Sequence, residues 1–288
     1  MNAFAITFAL YSLVIVAVGL VVGRRAGRSD EEYWLGGRSL GPWVSALSSS
    51  ASSESGWVTL GLVGAAYLYG ASIFWVIPGI IAGYLFNWFL LANRMRDDSR
   101  ATGALTIPDL LSMHFKERLP VIRLVAIVVV LVGMWLYVAA QFAIAGKAFN
   151  SAFESLDGIV GLSGYQNGVL LGAAIVLIYT VVGGFRSASV TDAIQAFVMF
   201  LTLAIFPFWL LFEVGGLSFI QEQLATVTEQ NLLQFWPELA GGALLGFLIG
   251  GDAIGIGFGF PGQPHILVRY MAIRKKRHVI QGAIIALV

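Results

Sequence analysis

Between Arg38 and Arg94 the chain carries one charged residue, Glu54, and that carboxylate stands in the string LSSSASSESGWVTLG (47–61). So long an uncharged stretch has too little to offer water to be a soluble loop. The rest of the chain agrees: 58% of its 288 residues are hydrophobic and 11% charged, against about 25% charged in soluble domains. Lipid is the solvent that suits it. If the span enters the bilayer at Trp43, Glu54 follows eleven residues later. At about 1.5 Å per residue that is about 16 Å, the middle of a hydrocarbon core about 30 Å thick. A carboxylate at that depth costs about 2.5–3.5 kcal/mol on insertion and marks a functional site by default.

Several function classes are excluded early. A net charge of +1 with no separate basic domain argues against a nucleic-acid partner. Cysteine is absent, so there is no disulfide framework, thiolate nucleophile or cysteine metal site. The first apolar run, Phe4 to Val22, has no basic residue before it, and Arg24, Arg25 and Arg28 follow it. That is the pattern of a retained first span rather than a cleaved signal peptide.

Apolar spans read as 4–23, 43–70, 72–92, 122–148, 168–185, 190–213 and 239–262, with another starting near His278. The loops between them alternate in charge. Of the 17 Lys and Arg residues, only Lys147 falls on the side opposite the rest. The bias predicts an N-terminus outside the cell membrane and an internal RKKRH loop, 274–278. Residues 104–115 (ALTIPDLLSMHF) are expected to form a short interfacial helix, and 218–234 an external surface helix. The GLSG string at 161–164 reads as loop rather than protease motif, since no histidine sits in an adjacent span. The sequence stops inside an apolar run, VIQGAIIALV, so a piece of a longer polypeptide is expected.

Two spans depart from aliphatic filler. The first holds Ser48, Ser49, Ser50, Ser52, Ser53 and Ser55 with Gly56 around Glu54. Small hydroxylated residues permit close helix approach and can satisfy backbone groups where a helix unwinds. Unwound carbonyls suit a hard cation such as Na⁺, and a tight helix seam is the plainer alternative. The second is GGDAIGIGFGFPGQP (250–264), where glycine and proline, costing about 1 and about 3 kcal/mol in a helix, predict a break at 255–262. Asp252 is the second mid-membrane acid. Tyr137 and Gln141, one turn apart in the fourth span, face either a cavity or a neighbouring helix. Asp192 is expected to pair with Arg186 or to sit as a helix N-terminal charge, and His265 and Arg269 to act as interfacial anchors. Glycine- or proline-interrupted spans at corresponding places in two halves point to a secondary transporter's binding site.

The strings LGGRSLGPWV (35–44), SASSESGW (50–57), ALTIPDLL (104–111), VVGGFRSASVTDAIQ (181–195) and GQPHILVRYMA (262–272) resemble the sodium/solute symporter family, within it the sodium/proline branch. The resemblance implies an all-α integral membrane protein with a LeuT-type inverted-repeat fold. Residues 1–42 would be an extra N-terminal helix and cytoplasmic loop, 43–214 the first five-helix repeat, and 239–288 the start of the second. It also implies Na⁺ on the carbonyls of Ala51 and Glu54, beside Ser53 and Ser55. Solute would lie among Gly56, Trp57, Tyr137, Gln141, Asp252, Gly255, Ile256 and Phe260. The branch carries an aspartate where Ser53 stands and an apolar residue where Glu54 stands. Its tryptophan and tyrosine at the second break align with Ile256 and Phe260. Proline, another small amino acid and a cationic solute thus stay open as cargo. The expected activity is Na⁺-coupled import by alternating access, with membrane lipid and a small solute as partners and no enzyme chemistry. H⁺ coupling through Glu54, or a sensory input module preceding a histidine kinase, are the alternatives.

Overall fold

A computed structural model describes residues 3–116, 119–153, 161–227, 232–235 and 255–287. Helices account for nearly all of it, and among the described residues the only extended pairing is one parallel bridge, Leu40 to Ile273. Helix α1 is Ala3–Val22, and α2, Asp30–Leu35, is capped by the Ser29 hydroxyl accepting from the Glu32 amide. Helix α3, Pro42–Ser53, is followed by a π-helical turn, Trp57–Leu62, and α4, Val63–Tyr69. Helix α5, Val76–Leu85, continues through a second π-helical turn, Phe86–Leu91, into α6, Ala92–Thr102. The expected interfacial helix is α7, Ile107–His114, capped by Thr106. Helices α8, Val121–Ala152, and α9, Gly164–Glu213, are the longest, and α10, Gly216–Val227, supplies most of the expected surface helix. The last segments are α11, Gly255–Gly259, α12, Pro264–Met271, and α13, Lys276–Leu287.

Four stretches among the described residues are long and apolar enough to cross a membrane: Ala5–Arg28, Leu60–Thr102, Val121–Ala152 and Gly164–Glu213. The outward faces of α8 and α9 are apolar and exposed, as helices meeting lipid must be. Residues 239–254 of the seventh expected span lie outside the described residues. So do 154–160 of the external loop. Ser163, in the GLSG string, begins α9 with a reciprocal capping box to Gln166, a structural duty that fits the loop reading.

One correction concerns the fifth and sixth spans, expected as 168–185 and 190–213 with a loop between. Two helices are present within Gly164–Glu213, but they meet at a kink rather than a loop: the helix is interrupted at Gly184, whose φ of 61° and ψ of −160° only glycine adopts readily. A Cβ there would also stand 2.7 Å from the Tyr33 carbonyl. This bent helix packs against α1, α3 and α8 and is the frame on which the others assemble.

The buried core sits at the end of the bundle that carries the basic loops. One cluster joins Ala46, Trp88, Phe260, Ile266, Tyr270 and Val279. A second joins Leu35, Leu40, Ala104, Leu110 and Met271. Arg38 holds the second together. Its guanidinium is buried and donates to Glu31 Oε1 at 2.8 Å, to the Ala104 carbonyl at 2.9 Å, and to both the hydroxyl and carbonyl of Ser99. Arg100 reciprocates by donating to the carbonyls of Arg38 and Ile273, each at 3.1 Å. Three of the basic loops are thereby clamped together. The backbone that delivers Arg38 is left-handed over three residues in a row, with φ of 58°, 61° and 49° at Gly36, Gly37 and Arg38.

Gly184→Ala is expected to lower stability by about 1–3 kcal/mol, because its backbone is in glycine-only territory. Gly133→Ala, with nothing within 4 Å of the added methyl, is expected to be neutral or slightly stabilising. Thermal unfolding of the purified protein in detergent compares the two.

Candidate functional site: two broken helices laced together

The hydrogen-bond ladder of α3 fails over four consecutive amides. Ser55 N–H, which a regular helix would give to the Ala51 carbonyl, bonds the Ser53 carbonyl at 3.0 Å. Gly56 N–H leaves the Ser52 carbonyl and donates to Gln141 Oε1 at 2.8 Å. Trp57 N–H takes the Ser55 hydroxyl at 3.2 Å, and Val58 N–H the Ser55 carbonyl at 2.9 Å in place of that of Glu54. Every displaced amide has a new partner, as a backbone inside a bilayer requires. The carbonyls tell the other half. Ser53 O is taken up by Ser55 N–H. Ser52 O accepts from His265 Nε2 at 3.2 Å and Tyr137 Oη at 3.5 Å. The carbonyls of Ala51 and Glu54 have likewise lost their helical partners, the amides of Ser55 and Val58.

The serines divide by where they point. Ser45, Ser49 and Ser53 turn back onto carbonyls of their own helix or its start, Gly41, Ala46 and Ser49 respectively. Ser48 reaches outward to Asp192 Oδ2 at 3.1 Å. At the end of the helix Gly56 meets α8 so closely that a Cβ would lie 2.5 Å from Ile144 Cδ1. Glu54 and Trp57 are exposed at the break, while Ala51, Ser53 and Ser55 are half-buried.

The second break occupies the later part of the expected 255–262. Gly255–Gly259 is helical, and the chain turns at Phe260–Gly262 before Gln263 becomes extended and α12 starts at Pro264. Gly255 and Ile256 are half-buried, whereas Phe260 is buried with its ring 5.1 Å from that of Tyr84. Asp252 lies outside the described residues.

Three side chains tie the two breaks. His265 stacks on Tyr137 at 4.7 Å while holding Ser52 O. Since an acceptor carbonyl faces Nε2, that nitrogen carries the proton. Arg269 donates to Asp192 Oδ2 at 2.5 Å, to Ser48 Oγ at 2.6 Å and to the His265 carbonyl, and lies over the Phe185 ring. This revises two expectations. Asp192 pairs with Arg269 rather than Arg186, and His265 and Arg269 are half-buried and buried parts of the site rather than interfacial anchors. Sequence reasoning missed Ser48, Asp192 and Arg269 as a cluster because they come from three separate segments. The one available signal was an acid inside an apolar span at 192.

The model of the sodium:solute symporter family matches residues 33–288. The chain belongs to the sodium:solute symporter family. The chain of this family member is 35% identical over 278 residues to the sodium/proline symporter of Salmonella typhimurium and 34% identical over 278 residues to that of Escherichia coli. Each match covers 96% of this chain and 52% of the relative. The sodium/proline symporter of Staphylococcus aureus is 33% identical over 273 residues, covering 94% of this chain and 50% of its own length. The chain thus spans about half the length of the curated relatives it matches. The family is one of transporters, not enzymes.

Removing either charge of the Arg269–Asp192 pair is expected to be worse than removing both. Arg269→Met or Asp192→Asn alone should lower stability by about 2–3 kcal/mol, since each strands a charge with little access to solvent. The double variant should lose less than the sum of the two. Thermal unfolding of the four proteins closes the cycle.

Proposed function

We propose that this chain forms the coupling half of a Na⁺-driven secondary symporter that imports a small amino acid, proline-like or related, by alternating access. The carrying observation is the release of the Ala51 and Glu54 carbonyls from the helical ladder, in a member of a sodium:solute symporter family. Two carbonyl oxygens at an unwound point, with the hydroxyls of Ser53 and Ser55 beside them, match the oxygen ligands a hard cation takes in broken-helix transporters. Na⁺ is cargo in this reading. The solute lies among Gly56, Trp57, Tyr137, Gln141, Asp252, Gly255 and Ile256, between the two breaks, whereas Phe260, expected beside it, has its ring in the core. Gln141 serves the site by holding the Gly56 amide, and Tyr137 by its stack on His265. The relatives' name, sodium/proline symporter, supports proline as the first solute to try.

The same reading assigns a LeuT-type fold with 1–42 as the extra helix and inner loop, 43–214 as the first repeat and 239–288 as the start of the second. The N-terminus lies outside, following the basic loops. The energetics are adequate. One Na⁺ entering down about 100 mV gains about 2.3 kcal/mol, and a tenfold gradient about 1.4 kcal/mol more. Together these sustain about 500-fold accumulation at one-to-one coupling.

Uptake of labelled proline into vesicles from cells producing the full-length protein that carries this chain, with and without an inward Na⁺ gradient, tests the reading. Na⁺-dependent, saturable uptake is expected, and Glu54→Gln should keep it within about threefold, because the carbonyl and not the carboxylate holds the ion. Loss of coupling in Glu54→Gln, with uptake driven by a proton gradient, would replace Na⁺ by H⁺. Na⁺-driven uptake of another amino acid or amine alone would change the cargo and keep the mechanism.

A further inference from the structure

Residues Phe86–Leu91 in the third span wind as a π-helix, a local insertion that concentrates at functional sites. Here the π turn sets two neighbouring side chains, Asn87 and Trp88, against the protein interior, each 1% exposed. Trp88 packs edge-on against Tyr270 at 4.9 Å. An uncapped amide side chain among apolar neighbours would be costly, so the destination of the Asn87 hydrogen bond carries information.

It goes to the second break. Gly79, Gly83 and Asn87 recur at four-residue spacing and form one stripe against α11. A Cβ on Gly257 would lie 2.1 Å from the Gly79 carbonyl, and one on Gly83 would lie 2.7 Å from the Gly257 carbonyl. Backbone thus rests on backbone up to the point where the helix fails. There Asn87 Nδ2 donates to the Phe260 carbonyl at 3.2 Å. The Gln263 amide donates to the same oxygen at 3.3 Å. With two donors, both lone pairs of that carbonyl are used. Tyr270, on the far side of the break in α12, packs on the ring of the neighbouring Trp88. Two adjacent residues of the third span therefore touch the two halves of the discontinuous one, Asn87 the first and Trp88 the second.

We propose that Asn87 is a positioning residue for solute binding. It fixes the direction in which the chain leaves α11 and removes the Phe260 carbonyl from the set available to solute, so that recognition falls to the other groups of the break. Its effect on transport rests on the symporter reading above. Its effect on the break does not.

Two substitutions separate hydrogen bonding from packing. Asn87→Leu keeps a similar shape and volume and removes the Nδ2 donor, and Asn87→Ala removes donor and volume together. Both are expected to raise the solute KM about fivefold, the net worth of one such bond, with Vmax and the Na⁺ half-saturation unchanged within twofold. Hydrogen exchange of the purified protein in detergent is read in parallel. The amides of Gln263, Ile266 and Leu267 should exchange about fivefold faster, with those of α8 unchanged. Wild-type KM and wild-type exchange in Asn87→Leu overturn the proposal, whatever Asn87→Ala does, because packing alone would then explain it. Equal acceleration in α8 also overturns it, since the residue would then support the fold at large. If the unsubstituted protein shows no Na⁺-driven uptake of any solute, the symporter reading fails, and the exchange rates still decide whether Asn87 holds the break.

Discussion

A backbone inside hydrocarbon has no water to fall back on, and the structure is arranged around that constraint where α3 fails. Four amides leave the ladder between Ser55 and Val58, and each is met by a specific acceptor: a carbonyl, a hydroxyl, or the side chain of Gln141. Because α8 supplies Gln141 and Tyr137, the fourth span cannot rotate or slide without exposing Gly56 N–H and Ser52 O. The break is thus a junction that fixes its neighbours, and it releases the carbonyls of Ala51 and Glu54 from the helical ladder.

A second layer of polar contacts lies toward the basic loops. Arg269 collects Ser48, Asp192 and the His265 carbonyl, drawing α3, α9 and α12 onto one guanidinium. Further toward the loops, Arg38 and Arg100 use backbone carbonyls of three loops as acceptors, and Leu40 pairs with Ile273 as a short bridge. Arginine suits both places, since a planar fork of donors can serve several oxygens at once while staying charged. These contacts join the first group of helices to the segments that follow the second break. His265 belongs to the same seam, joining the two breaks through Ser52 and Tyr137.

The two breaks are built differently. The first is satisfied by side chains of α8 and α12 and keeps its carbonyls at Ala51 and Glu54. The second is gripped by a glycine stripe and by Asn87, with Phe260 turned into the core. A cation site asks for oxygens, and a solute site asks for a shaped wall, so the contrast follows the division of labour in the proposed mechanism.

The sequence by itself determined the membrane character, the places where helices break and the side on which the basic loops gather. Those properties are local or compositional: one charge between Arg38 and Arg94, serine and glycine around Glu54, and Gly-Phe-Pro-Gly-Gln-Pro at 259–264. The helix of residues 107–114 was legible for the same reason, because a threonine cap and a proline at the start act within one turn. What only the tertiary structure decided is who satisfies whom. Asp192 had Arg186 nearby in sequence and found Arg269, 77 residues away, because the direction change at Gly184 and the packing of α12 bring those two together. Asn87 was one polar residue in an apolar run until the π turn aimed it at Phe260, and Gln141 could face a cavity or a helix until Gly56 arrived beside it. Periodicity and composition fix where a chain must break. The partners of the freed donors and acceptors depend on which helices lie within about 3 Å, a distance set by packing across the whole bundle.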